Sequence, residues 1–275
     1  MKAVYSIIFL TGFVVGINKK PVAQEYHQVS AREKSLAGIA TCLSGGWSVF
    51  GNQAGMIADT NLQSGISYSN YFLLKELGVK AAYVSLPAGN NVFALSFYRF
   101  GNGAYNENKL GLAYAKEIIP GFSVGFQFNY FFIRLPENEK SPGISVLEGG
   151  IQYRLSEKLQ IGAHCFNPFQ SGVNTENIRY KLPCLFRLGT GITVTEELSL
   201  FFEIEKDLKQ ELVLKAGAEY RMLEKFRLRA GIAGENNLLS LGVAYSFSKL
   251  TTDFSWQYNY RLGNVPSVAI SYYIK

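Results

Sequence analysis

The sequence predicts an all-β protein: a fourteen-stranded antiparallel transmembrane β-barrel closed by a short N-terminal plug or hatch. Three observations predict it. Apolar residues recur every second position in about a dozen segments, as in Phe122–Phe132 (Phe-Ser-Val-Gly-Phe-Gln-Phe-Asn-Tyr-Phe-Phe). Side chains alternate faces along a strand, so such a segment has one apolar and one polar face. The apolar face is unusually aromatic, with 17 Tyr and 20 Phe in 275 residues. No apolar run approaches the ~20 residues of a membrane-spanning helix, and lipid tolerates strands only in a closed barrel. Charged residues make up 17% of the chain, below the roughly 25% of soluble domains.

Residues 1–23 read as a signal peptide. Lys2 opens it, Ala3–Ile17 is apolar, and Pro21-Val22-Ala23 offers a small residue for cleavage before Gln24. No cysteine adjoins the cut, so an amino-terminal lipid anchor is not expected. Removing Lys2, Lys19 and Lys20 leaves 24 basic against 21 acidic residues. An excess of three, scattered along the chain, excludes a nucleic-acid surface. Cys42, Cys165 and Cys184 are odd in number and have neither metal spacing nor the pattern of a disulfide framework.

Residues 24–64 do not alternate and read as the plug segment. Gly45-Gly46 and Gly51 flank Trp47 and Phe50, and Asn52 and Gly55 follow, giving a compact stretch with aromatic anchors. Its apolar content argues against disorder. Residues 65–275 form the barrel. The expected strands are 65–72, 75–86, 91–100, 106–118, 121–134, 143–155, 158–166, 183–195, 197–205, 210–222, 225–234, 238–247, 252–261 and 265–274. Connections after even-numbered strands are tight, whereas the three longest, Gly101–Tyr105, Leu135–Pro142 and Asn167–Leu182, follow odd-numbered ones. Short periplasmic turns and longer external loops are the pattern of bacterial outer-membrane barrels.

The face away from lipid carries ordered charge. Glu203 and Glu205, Lys215 and Glu219, and Arg227 and Arg229 occupy three successive strands at one parity. They are expected to meet across strands in the lumen. Such a network either lines a pore that selects a solute or holds a closed lumen together. The matched signs favour the second reading, since a selective pore carries an excess of one sign.

The chain also resembles a known family. Arg32 with Ser35-Leu36-Ala37-Gly38, Trp47-Ser48-Val49-Phe50 and Asn52-Gln53-Ala54-Gly55-Met56 are similar to the N-terminal signature of the FadL/PorV-like outer-membrane barrels of the Bacteroidota. Phe72–Leu77, Leu110–Lys116 and Gly162–Pro168 add to the likeness, which spans the mature chain. Gln53 replaces the proline of many relatives, and the chain ends in Ile274-Lys275 without the terminal aromatic of barrel-assembly signals. The resemblance implies fourteen strands behind an N-terminal hatch. For function it implies two roles. PorV-like members are shuttle or accessory barrels of type IX protein secretion, and a short member plugs the periplasmic side of the large secretion pore. FadL-type members pass hydrophobic molecules through the barrel.

Catalysis is not expected. His27 and His164 are the only near-neutral bases, and His164 has lumenal parity, away from the outer rim. No His/Cys/carboxylate cluster has ligand spacing, so neither metal nor cofactor is expected. A FadL-type route calls for an apolar lumenal pocket and a side opening at a kinked strand. The expected lumenal set, which includes Gln127, Asn129, Glu148, Gln152, Arg154 and Arg187, is polar instead. The primary expectation is therefore a non-catalytic barrel attached to type IX secretion, with outer-membrane lipid and the large secretion pore as partners. The alternative is a FadL-like passive channel for hydrophobic or small solutes.

Overall fold

The computed structural model describes residues 28–103, 105–134, 143–174, 179–234 and 237–274. The expected signal segment, His27 and the loop 135–142 lie outside these residues.

Fourteen strands close into one antiparallel barrel. They are β1 (Leu62–Asn70), β2 (Gly78–Ala88), β3 (Asn91–Gly101), β4 (Asn106–Ile119), β5 (Phe122–Arg134), β6 (Gly143–Arg154) and β7 (Leu159–Phe166), then β10 (Leu185–Thr193), β11 (Leu198–Asp207), β12 (Leu212–Leu223), β13 (Phe226–Ala233), β14 (Leu238–Phe247), β15 (Leu250–Asn259) and β16 (Gly263–Ile274). Each pairs with its sequence neighbour, β7 pairs with β10, and β1 closes the seam on β16 with Leu62 opposite Ile274. The loop between β7 and β10 carries its own two-stranded ribbon, β8 (Gly172–Asn174) and β9 (Arg179–Lys181), which the sequence pattern did not announce.

The fourteen expected strands are all present, with displaced ends. Strand β1 begins at Leu62, inside the range assigned above to the plug, and stops at Asn70 rather than at residue 72. Tyr71 is buried and Phe72 packs beside it, in a turn where Phe72 and Leu73 both take left-handed backbone. Burial of the two rings overrides the strand propensity of the segment. Strand β15 ends at Asn259 because its Oδ1 accepts from the Arg261 and Leu262 N–H groups, at 2.9 and 3.1 Å.

Alternation decides the two faces. Along β5, Phe126, Phe128 and Tyr130 are exposed on the outside, whereas Ser123, Gly125, Gln127 and Asn129 are buried within. Along β15, Phe254, Trp256 and Tyr258 face out, and Asp253, Ser255 and Gln257 face in. A closed barrel leaves no unpaired edge, so its backbone is satisfied within hydrocarbon. The apolar outer surface needs that environment. No helix among the described residues is long and apolar enough to cross a membrane, and strands make the crossing.

Residues 28–61 fill the bore. Helix α1 (Ala31–Ser35) starts where the Ser30 side chain accepts from the Arg32 N–H, and it packs against β13–β16. Gly38, at φ 81°, ends it by donating its N–H to the Glu33 carbonyl at 2.8 Å. A Cβ there would meet the Gln28 amide at 1.9 Å, the movable end of a side chain, so it is the backbone conformation that calls for glycine. Two 3₁₀ turns follow. Gly46–Phe50 lies against β1–β3 and Gln53–Ala58 against β4–β6, after which the chain enters β1 at the short-turn end.

Candidate functional site

The wall grips the plug mainly by its backbone. The Glu203 carboxylate, fully buried, accepts from the Ala40 and Thr41 N–H groups at 2.9 Å each and from Thr41 Oγ1 at 2.6 Å. Lys215 Nζ donates to the Gly38 carbonyl at 3.2 Å and pairs with Glu203 and Glu205 at 3.0 Å. Arg187 completes this group through Glu205. Gln152 Nε2 donates to the Thr41 and Leu43 carbonyls at 2.9 Å, and Gln257 Nε2 to the Lys34 carbonyl at 3.0 Å. A buried main-chain group left without a partner costs about 1–3 kcal/mol, so these side chains do for the plug what a sheet ladder does for a strand.

The expected plug residues have distinct places. Trp47 Nε1 donates to Ser271 Oγ at 2.8 Å, and its ring meets Tyr83 edge-on at 4.8 Å between centroids. Phe50 is buried beneath the Lys109 ammonium, 5.8 Å from its ring centre. Asn52 caps the second 3₁₀ turn through Ala54, while its Nδ2 reaches the Thr41, Ile151 and Ala163 carbonyls at 2.8, 3.1 and 3.3 Å. Gly55 lets two plug segments touch: a Cβ there would lie 2.4 Å from the Leu43 carbonyl oxygen.

The expected lumenal network divides into two groups. Glu203, Glu205 and Lys215 form the first, with Arg187. Glu219 and Arg229 form the second, and it extends further than alternation on neighbouring strands indicated. Arg32 of the plug pairs with Glu219 at 3.1 Å, Glu219 with Arg229, and Arg229 with Asp253 of β15. Arg227 departs from the expectation. It shares the lumenal parity but lies at the short-turn rim, where it donates to Ser246 Oγ at 3.3 Å instead of joining an ion pair. Directly opposite it across the strands is Arg221 rather than an acid.

A third buried group, around Glu148, was only partly foreseen. Asn129, Gln127 and Lys109 approach one Glu148 oxygen at 2.8, 3.1 and 3.3 Å, and His164 lies 3.3 Å from the other. The sequence reading placed Gln127, Asn129, Glu148 and His164 in the lumen but did not join them.

Sequence reasoning passed over the lumenal glycines. A Cβ at Gly125 would lie 2.5 Å from Ala54 N, at Gly162 2.5 Å from the Thr41 carbonyl oxygen, and at Gly231 2.5 Å from the Leu36 carbonyl carbon. Glycine at lumenal parity marks where plug backbone touches wall backbone. That signal was present in the alternation itself.

Two of the cavities left in the bore lie at its opposite ends. One, of about 130 Å³, lies at the long-loop end, where Tyr71, Phe72, Leu238 and Leu262 face Arg187 and Glu205. The other, of about 410 Å³, lies at the short-turn end among Arg32, Glu33, Trp47, Tyr83, Arg227 and Asp253. Helix α1 and residues 36–43 stand between them. The register of β3 runs unbroken against both β2 and β4, and the two register shifts in the described wall fall at short-turn ends, in β4–β5 and β12–β13. Among the described residues, no other break in register marks the kinked strand that a FadL-type side opening calls for.

A closed fourteen-stranded barrel with an apolar exterior and an N-terminal plug defines an outer-membrane β-barrel of the FadL type of fold. Solved structures bear out that class. The chain is similar to the Ralstonia pickettii toluene transporter TbuX, with a TM-score of 0.67 and 11% identity over 88% of this chain and 97% of that one. It is similar to a Pseudomonas aeruginosa FadL homologue, at a TM-score of 0.67 and 11% identity over 90% and 99%. It is similar also to the monoaromatic hydrocarbon channel CymD, at 0.65 and 13% over 90% and 97%. These likenesses are of fold. No protein-family profile and no curated protein sequence matches the chain.

Proposed function

We propose that this barrel is a non-catalytic, passive outer-membrane channel for small solutes with an apolar part, and that residues 28–61 gate it. One observation carries the reading: a cavity opens at each mouth, and the plug that separates them is held by hydrogen bonds and ion pairs, which are reversible. The outer cavity sets Tyr71, Phe72, Leu238 and Leu262 beside Arg187, Glu205, Asp207, Gln210 and Gln257, a mixed lining that suits a small amphiphile. Similar solved structures described as transporters and channels support passage of solutes over a secretory role.

Single-channel recording in a planar bilayer tests the proposal. The intact barrel is expected to open rarely, and deletion of residues 24–60 to give steady conductance. A truncated barrel that folds, as judged by heat-modifiable mobility, yet stays silent would sink it.

The filled bore favours a second reading, that of a sealed accessory barrel docked on a larger outer-membrane machine such as the type IX secretion pore. Under that reading the intact barrel stays silent, deletion of residues 24–60 still opens the bore, and the barrel co-purifies from native membranes with a large pore protein.

A further inference from the structure

We infer that Cys165 and Cys184 form an intramolecular disulfide that clips the base of the longest external loop. Cys165 lies in β7 between His164 and Phe166, both of which point into the lumen, so its side chain is on the outer face. Strand β10 pairs with β7 so that Phe186 stands opposite Cys165 and Leu185 opposite Phe166. Cys184, two residues before Phe186 and one before the ladder begins, is buried and stands diagonally across from Cys165. The two side chains are neighbours across the β7–β10 pair, and both thiols are free. Cys184 sits just outside the regular ladder, held on its other side by donation from the Leu208 N–H to its carbonyl at 3.2 Å. Diagonal neighbours start about 7–8 Å apart, so closing the bond draws the Cys184 backbone, which lies beyond the ladder, about 1–2 Å toward β7.

The intervening loop is already folded back. Asn167 Nδ2 reaches the Ser171, Leu182 and Pro183 carbonyls at 3.2, 3.3 and 3.2 Å, and its Oδ1 accepts from the Ser171 N–H at 2.8 Å. Leu182 is buried against Phe166 and Leu185. Both loop ends are thus fixed before any covalent bond is made. Cys42 is excluded as a partner. It belongs to the plug, inside the wall, with its Sγ 3.8 Å from the Gln160 carbonyl oxygen.

An outer-membrane protein passes through the periplasm, an oxidising compartment. The chemistry is thiol–disulfide exchange with a protein disulfide donor there. One thiolate attacks the donor and displaces its first sulfur. The second thiolate then attacks the mixed disulfide and displaces the other. The two cysteines are oxidised, the donor is reduced to two thiols, and the two protons pass to the leaving sulfurs.

The test uses the purified full-length barrel, reduced and then exposed to oxidised glutathione, with thiols counted by alkylation in denaturant and located by peptide mapping. The expected result is a fall from three reactive thiols to one, Cys42, with a linked peptide pair containing Cys165 and Cys184 and unchanged heat-modifiable mobility. Cys165→Ser should abolish the linked pair without affecting the fold. Three free thiols, or glutathione adducts on Cys165 and Cys184 with no link between them, would overturn the inference.

Discussion

Glu203 holds Thr41 twice, accepting from its backbone N–H at 2.9 Å and from its hydroxyl at 2.6 Å, although 162 residues separate them in the chain. The same carboxylate oxygen also accepts from the Ala40 N–H, so one wall residue fixes the middle of the plug. Removing the carboxylate would leave Lys215 facing Glu205 alone, and two plug amides without acceptors.

Glu203→Ala is therefore expected to weaken plug docking by about 3–5 kcal/mol, the usual cost of breaking a buried ion pair from one side. Bilayer recording should show more frequent opening, while heat-modifiable mobility shows the barrel intact. Conductance identical to wild type in a folded variant would contradict the docking role.

Arg32 and Arg229 both pair with Glu219, yet they answer to different parts of the molecule. Arg32→Ala removes a plug contact and leaves Glu219 paired to the wall. Arg229→Ala strands Asp253 and leaves Glu219 with Arg32 as its one paired cation. The first variant should raise open probability with little change in urea unfolding of the barrel. The second should lower the unfolding midpoint, by the equivalent of about 3 kcal/mol or more. Equal unfolding midpoints for the two would refute this division of labour.

Gly231→Ala tests the close approach of wall and plug. Its Cβ would fall 2.5 Å from the Leu36 carbonyl carbon and 2.6 Å from Ala37 N, both backbone atoms that cannot rotate away. Overpacking of this kind typically costs about 1–3 kcal/mol. Faster proteolysis of residues 28–45 in the folded variant is the expected readout.

Acidity should tighten the plug. Burial raises the Glu33 carboxyl from 4.5 to about 7 and the Asp59 carboxyl from 3.8 to about 7. A carboxyl whose pKa is higher in the docked state binds its proton more strongly there. Docking is thus strongest below the free values, near pH 4, and weakens as pH rises through about 7. Each group contributes on the order of a few kcal/mol across that window. Open probability should increase from pH 5 to pH 8, and Glu33→Gln should flatten the rise. An increase toward acid would contradict the sign.

Alternation and loop lengths made the barrel legible in the sequence, because period two and the contrast between Phe126 and Gln127 depend only on which face meets lipid. Strand ends were less legible where one side chain decided them, as Asn259 does for β15 and the buried Tyr71 for β1. The charge network was half visible. Neighbouring strands could be matched by parity, but Arg32 and Asp253 join it from a helix and from a strand two places beyond β13. Arg227 was misassigned because parity gives a face and not a height along the bore. Parity put Gln152 in the lumen, but its anchoring role, like that of Gln257, carried no signal, since their plug partners are backbone atoms.

Because Glu203, Gln152 and Lys215 grip main-chain atoms, the polar hold on residues 38–43 uses one of their side chains, the Thr41 hydroxyl, while Ile39, Cys42 and Leu43 add apolar packing against Phe201. Exchanging them should matter little so long as they fit. The intolerant change is to the chain itself: proline at position 40 or 41 would delete an amide that Glu203 holds, and would unlatch the stopper while leaving its shape nearly the same.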